Sequence, residues 1–213
     1  YWDRGVPYMS ANANKLSIAL DLTKPQGKEI FKELVKISDV VTENFSTRVM
    51  KNLGLDYSVL KEVKPDLIML SSCGFGQTGP WKDYGAYGWG LESMSGISQV
   101  TGYQDGPPLR SSIPYNDFLG AMNAAILVMA ALEYRRKTGK GMYIDLSQYE
   151  AGVCAVGETI LDYSMNQRVQ TRMGNRHPSM APHGCYRCSG DDKWVVIAVS
   201  SDEEWQALCQ AMG

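Results

Sequence analysis

Asp117 closes the run Ser111-Ser112-Ile113-Pro114-Tyr115-Asn116-Asp117, which leads without a break into the apolar segment from Phe118 to Leu132. Pro114 disfavours a helical conformation at Ile113, while Asn116 and Asp117 are both good N-caps, so a helix is expected from about Asn116 to Thr138. A carboxylate at a helix N-terminus is held in its charged form by the helix dipole, by roughly 0.3 to 1 kcal/mol at an exposed end. Charged is the form a carboxylate nucleophile needs, but the same residue in the same place can simply cap the helix. Spacing alone leaves both roles open.

Other constellations are weaker. Gly74-Phe75-Gly76-Gln77-Thr78-Gly79 matches GxGxxG after an expected strand, yet Pro80-Trp81-Lys82-Asp83-Tyr84-Gly85 is a poor start for the helix that would carry a pyrophosphate. Neither nicotinamide nor flavin is therefore expected, although a glycine-rich loop at the carboxyl end of a central strand is a natural ligand-binding position. His177, His183, Cys185 and Cys188 cluster as zinc ligands can, but a second Cys pair is missing. On one strand, Cys185 and Cys188 would point to opposite faces, so packing thiols and no metal are expected. Arg4, Lys15, Arg48 and Lys51 are scattered cations that could meet phosphates. Neither a GxSxG elbow nor a GxxxxGK[ST] loop is present.

The elements that must position these residues alternate. Leu16 to Leu20 reads as a short strand, and Thr23-Lys24-Pro25 opens a helix with Ile30, Phe31, Leu34, Val35 and Ile37 at helical spacing. Asp39 to Thr42 is a second strand, followed by a helix from near Ser46 to Gly54 and a short helix capped by Asp56. Leu67 to Leu70 is a continuous apolar run, expected to be a central strand covered on both faces. A helix-like stretch runs from about Tyr87 to Val100, ahead of the helix that carries Asp117. That helix should stop at Arg135-Arg136-Lys137 and Gly139, and its apolar girth predicts burial, with its N-terminus pointing somewhere enclosed. Met142 to Leu146 is a further strand, and Ser147 with Glu150 has capping-box spacing. The expected fold is α/β, a Rossmann-like, mostly parallel sheet with helices on both faces. Beyond Arg168 the chain reads as a linker rich in Gly, Asn, His and Pro, then a hairpin of Cys185 to Cys188 and Lys193 to Val199, and a helix from near Asp202. Residues 1–168 are thus expected to be part of a large domain, and 169–213 a linker and the start of a smaller α+β domain.

With 213 residues, 21 basic and 23 acidic side chains and a net charge of -2, the chain has room for one substantial core and no global field for nucleic acid or an anionic membrane. The uninterrupted apolar run Ala124 to Leu132 is far short of the roughly 20 residues a membrane span needs. Five cysteines without framework spacing, and a start that lacks the pattern of a secretory signal, lead us to expect a cytoplasmic protein. Both ends read as cut.

Taken together, the segments resemble the class III CoA-transferases, the family of formyl-CoA, carnitine and benzylsuccinate CoA-transferases. They are Asn12 to Lys15 through Ala19 to Leu22, Thr42 to Phe45, Asn52 to Leu55, Ser72 to Pro80, and Asp117 through Ala130-Ala131-Leu132 to Gly141, in the family's order. The resemblance implies an internal fragment of an enzyme that moves CoA from an acyl-CoA thioester to a carboxylic acid, with Asp117 as nucleophile and a covalent aspartyl intermediate. It places coenzyme A against Leu20, Asp21, Leu22 and Thr23, against Asn44, Phe45 and Ser46, and against Cys73, Gly74, Phe75 and Gly76. Leu16, Ser46-Thr47-Arg48 and Asn52 depart from the family's basic positions, leaving Lys15, Arg48 and Lys51 as substitute phosphate contacts. The glycine run of formyl-CoA transferases has no counterpart among Asn175 to Gly184, an expectation against formyl or oxalate substrates. The implied partners are an acyl-CoA donor, an acid acceptor and a second subunit, as an interlocked homodimer or a hetero-oligomer. A 2-methylacyl-CoA racemase is the rival, but its proton-exchanging His and Glu fall at Ala86 and near Ser201. A non-catalytic CoA-binding subunit is the third reading, and the presence of Asp117 argues against it.

Overall fold

The computed structural model describes residues 5–213. Arg4 lies outside them. Three parallel strands, β1 (Val40–Glu43), β2 (Ile68–Cys73) and β3 (Met142–Ser147), lie in the order β1-β2-β3, with Val40 opposite Ile68 and Ile68 opposite Met142. Every residue of β2 is buried, as a central parallel strand covered on both faces requires. Successive side chains of a strand point to opposite faces, so Met69 and Ile68 serve different layers. On the Met69 side a core forms with Val35 of α2 (Pro25–Ile37), Met50 of α3 (Val49–Leu53), Leu55, and Leu60 of α4 (Tyr57–Val63). On the other side α7 (Tyr115–Thr138) packs on β2 and β3, flanked by α5 (Gly88–Met94) and α8 (Gln148–Ala155). The parallel sheet with helices on both faces is thus present.

Helix limits follow local chemistry. Pro25 stands in the first turn of α2, Asp56 Oδ1 accepts the Ser58 N–H at the head of α4, and Ser147 Oγ accepts the Glu150 N–H at 3.2 Å to cap α8. α7 ends at Gly139, whose N–H donates to Arg135 O at 2.7 Å. Arg135 itself donates to Asp39 O and reaches Asp39 Oδ1 at 2.6 Å, which ties the tail of α7 to the residue before β1.

Four expectations are corrected. Leu16 to Leu20 forms no strand: its backbone is unpaired among the described residues, and Leu16 and Ile18 are exposed. Alternation specifies extended backbone, but a strand also needs a neighbouring edge to take its hydrogen bonds. The stretch from Tyr87 to Val100 is two helices, α5 and α6 (Ile97–Val100), because Gly96 at φ +92° breaks the helical path. The helix after Ser46 begins only at Val49. α7 is not a buried helix: Asn116, Gly120 and Ala131 are buried, while Met122, Ile126 and Met129 face solvent. Its apolar residues run around the whole girth, so periodicity marked no face, and the sheet covers only one. By length and composition α7 could also cross a membrane, which the count of uninterrupted apolar residues missed. Its packed face on β2 and β3 is that of a core helix.

After α9 (Gly157–Asn166) the chain is fastened to an earlier loop: Arg172 Nε donates to Gly106 O at 3.0 Å and Gly174 N–H to Gly102 O at 2.8 Å. A separate antiparallel hairpin follows, β4 (His183–Arg187) with β5 (Trp194–Ala198), and then α10 (Asp202–Met212). α1 (Val6–Ala11) precedes the unpaired segment.

Leu60 is fully buried at the junction of α2, α4 and β2. Leu60→Ala should lower the unfolding free energy by about 2–5 kcal/mol, read from urea denaturation. A loss below about 1 kcal/mol would contradict this core.

Candidate active site

The carboxyl ends of β1 and β2 open into a cavity of about 860 Å³, the position where an open α/β sheet binds its ligands. Asn44 to Thr47, leaving β1, form one wall, and Cys73 to Phe75, leaving β2, form the next. The two loops are joined: Asn44 Nδ2 donates to Ser72 O, and Cys73 Sγ donates to Phe45 O at 3.2 Å. Tyr149 N–H reaches Gly74 O at 2.9 Å, and Asp145 accepts the Gln77 N–H at 2.9 Å, so the glycine loop is anchored from β3 and α8. Phe75 sits among Trp81, Tyr84 and Tyr149, which brace the same loop. The chain continues from this loop through turns to α5, without the long helix of a dinucleotide site.

Asp117, Ala121 and Ala124 stand on one face of α7, at positions i, i+4 and i+7, and line the opposite wall. Asp117 is the third residue of the helix, not its cap: Pro114 holds the cap position, and its carbonyl accepts the Asp117 N–H at 2.9 Å. The Asp117 carboxylate accepts no hydrogen bond from the described residues. It lies against Gly88 so closely that a Cβ there would sit 2.5 Å from Oδ1, and only glycine leaves the carboxylate its place. Asp117 is open to the cavity, yet the protein behind it raises its pKa above the ordinary 3.8 through burial. The first turn of α7 acts in the opposite sense, since a helix N-terminus favours an anion.

The cavity holds a second candidate nucleophile, Cys73. Burial pushes its thiol up to about 11, with Glu43 and Asp145 adding to the rise and a hydrogen bond from Gln77 opposing it. At neutral pH this group is a thiol, which is the unreactive form.

Of the residues expected to touch coenzyme A, the fold gathers Lys15, Asn44, Phe45, Ser46, Cys73, Gly74 and Phe75 around this cavity. Gly76 lies just behind, against Ser147 and Asp145. Leu20, Asp21, Leu22 and Thr23 are elsewhere. Asp21 Oδ1 accepts Thr23 N–H at 2.9 Å and Oγ at 2.6 Å in the turn before α2, and these bonds lower the Asp21 pKa. Leu22 packs on the core under α2. Arg48 turns outward to Asp83 at 3.4 Å, and Lys51 lines a neighbouring cavity of about 380 Å³ that shares Glu43, Ser46 and Thr47 with the first. Lys82, Gly88 and Gln148 line the main cavity and were not singled out in the sequence. Each lies on a different segment that only the fold brings to the cavity of Asp117. A glycine opening an expected helix was the one local signal available.

In the second cluster the His177 and His183 rings lie 5.3 Å apart, and Cys185 and Cys188 are exposed. No group of three His, Cys, Asp or Glu side chains suited to a metal ion occurs among the described residues.

The family model for CoA-transferase family III matches residues 2–213. An acetyl-CoA:oxalate CoA-transferase of Acetobacter aceti is 37% identical over 212 residues, 99% of this chain and 54% of its own. A succinyl-CoA–D-citramalate CoA-transferase of Chloroflexus aurantiacus is 39% identical over 201 residues, 94% of this chain and 50% of its own. Among solved structures, a CaiB/BaiF family protein of Brucella suis superposes with a TM-score of 0.85 at 33% identity, covering 95% of this chain and 53% of that one. The chain spans about half the length of the curated relatives it matches. With Asp117 at the mouth of its long helix and this match over nearly every residue, the chain belongs to CoA-transferase family III.

Proposed function

We propose that the protein transfers CoA from an acyl-CoA thioester to a carboxylic acid through a covalent intermediate on Asp117. The observation that carries this reading is a carboxylate without a hydrogen-bond partner among the described residues, on the wall of the cavity that it lines with Ala121 and Ala124. A carboxylate that capped its helix would have its oxygens occupied by backbone N–H groups. This one is free to form a bond.

The steps balance without a proton. An Asp117 oxygen attacks the thioester carbonyl, the C–S bond breaks, and CoA departs as thiolate, leaving a mixed anhydride on Asp117. The thiolate then attacks the Asp117 carbonyl carbon, releasing the donor acid and leaving an aspartyl-CoA thioester. The acceptor carboxylate attacks that carbon and frees the thiolate, which takes the acceptor's acyl group and restores Asp117. Water must be kept from the anhydride, which the aromatic side of the cavity at Phe75 and Tyr84 favours. Lys15 and Lys82 are the ammonium groups at the cavity and suit CoA phosphates, with Asn44 to Ser46 and Cys73 to Phe75 along the rest of the molecule. Arg48, Lys51 and the turn Leu20 to Thr23 are outer contacts in this reading. The two relatives named above take oxalate and D-citramalate, so a short dicarboxylic acid is the acceptor class we infer, and the expectation against oxalate is set aside.

Ala86 lines the cavity and Ser201 caps α10, so neither supplies the acid-base pair that a racemase needs. Five free cysteines fit a cytoplasmic protein. The exposed apolar side of α7 fits a second subunit, alike or unlike.

In the full polypeptide, Asp117→Asn should abolish an adduct that hydroxylamine or borohydride traps on this residue in the wild type, and transfer should fall by at least about 10³-fold. Asn has nearly the same volume, so the melting temperature should change little. Transfer near the wild-type rate in a folded Asp117→Asn protein would refute the reading.

The Cys73 thiol, held near 11, should be the slowest of the five to react with iodoacetamide at pH 7 to 8, behind exposed Cys154, Cys185 and Cys188. Peptide mass spectrometry reads the order. Early labelling of Cys73 would reopen it as a nucleophile.

A further inference from the structure

We propose that Gln148 is a catalytic contact: its side-chain amide donates a hydrogen bond to the acyl oxygen held at Asp117. This rests on the reaction proposed above.

Three observations place the amide. Gln148 is the first residue of α8 and lines the same cavity as Asp117. Its side chain lies across Gly120, where a Cβ would stand 3.0 Å from Gln148 Cγ and 3.5 Å from Nε2, so glycine at 120 lets the amide reach α7. Gly120 is one helical turn beyond Asp117, and residues three apart on a helix have side-chain origins about 5–6 Å apart. An acyl group bonded to an Asp117 oxygen spans that gap.

The amide is also held and only partly used. Nε2 donates one hydrogen to Ser72 Oγ at 3.2 Å, and a primary amide has two. The Gln148 backbone is fixed to the same helix turn, because Asn116 Nδ2 donates to Gln148 O at 2.7 Å. A donor so fixed before the substrate arrives needs no reorganisation when negative charge builds on the acyl oxygen. Lys15 and Asn44 also line the cavity, but they are turned to Ala11 O at 2.7 Å and to Ser72 O, whereas Gln148 lies against α7 itself at Gly120. Attack forms the Asp117 oxygen–carbon bond and breaks the carbon–sulfur bond. Gln148 keeps its protons throughout.

The test uses the full polypeptide and succinyl-CoA, with the Asp117 adduct quantified by rapid quench and peptide mass spectrometry. Gln148→Glu keeps the shape over Gly120 but presents an acceptor, and Gln148→Leu keeps the bulk and presents nothing. Both should slow adduct formation by about 10²-fold or more, with the KM for succinyl-CoA held within about threefold, as loss of an interaction made mainly in the transition state requires. Ser72→Ala removes only the bond that steadies the amide and should cost less than about tenfold. If Gln148 were a strut for Ser72, Gln148→Leu and Ser72→Ala would be equally mild, and that result overturns the proposal. Adduct formation at the wild-type rate in either folded Gln148 variant also overturns it. A wild-type protein with no Asp117 adduct would instead defeat the reaction itself, so the two failures are told apart.

Discussion

The place at which α7 begins governs the site, and one buried amide holds it. Asn116 has no exposed surface; its Nδ2 donates to Gln148 O, while its Oδ1 has no partner among the described residues. An unsatisfied buried acceptor costs about 1–3 kcal/mol. Oδ1 instead faces Gly152 of α8, where a side chain could not fit. The helix start is thereby locked against α8 at a cost in stability, in the turn where register matters most. A shift of α7 by one residue would swing Asp117 about 100° around the axis and out of the cavity.

Two further contacts make that start rigid. Glu92 of α5, fully buried, accepts both the N–H and the hydroxyl of Ser111, at 2.7 and 2.8 Å, and so fastens the segment that feeds α7. Four residues earlier on α5 stands Gly88, pressed on the Asp117 carboxylate. One short helix therefore anchors the approach to α7 and shapes the space beside its acid. At the far end, Arg135 clamps α7 to Asp39. Between these ends the covered face relies on small residues, Gly120 and Ala131, which let the helix lie close to its neighbours. Its bulky side chains are left outside.

Local chemistry made much of this legible beforehand. Pro25, Asp56, Ser147 and Gly139 mark helix ends by mechanisms confined to a few residues, and each marks one here. The unbroken apolar run of β2 carried its own burial. Reading failed where the answer lay in a distant partner. Leu16 to Leu20 has the pattern of a strand but no edge to join, and Asn116 has the chemistry of a cap but is used by Gln148 instead. The helix of Asp117 has no apolar stripe, so nothing local said which side the sheet would take. Lys82, Gly88 and Gln148 could be placed only once three loops had met.

That Asp117 is third in its helix, with Pro114 in the cap position, changes its electrostatics. A capping carboxylate has its oxygens turned back onto the N–H groups of its own first turn, which stabilises it and blunts it as a nucleophile. Three residues beyond the cap, the side chain still feels the N-terminal partial charge of α7 but projects from the flank. Burial raises its pKa, so the anion is less comfortable than a free aspartate, while the dipole acts in the opposite sense. A carboxylate that is partly desolvated and accepts no hydrogen bond from the described residues would give up little on forming the covalent bond we propose. The proline that starts α7 one residue before Tyr115 thus does more than end a loop: it moves the acid off the cap position and onto the wall of the cavity.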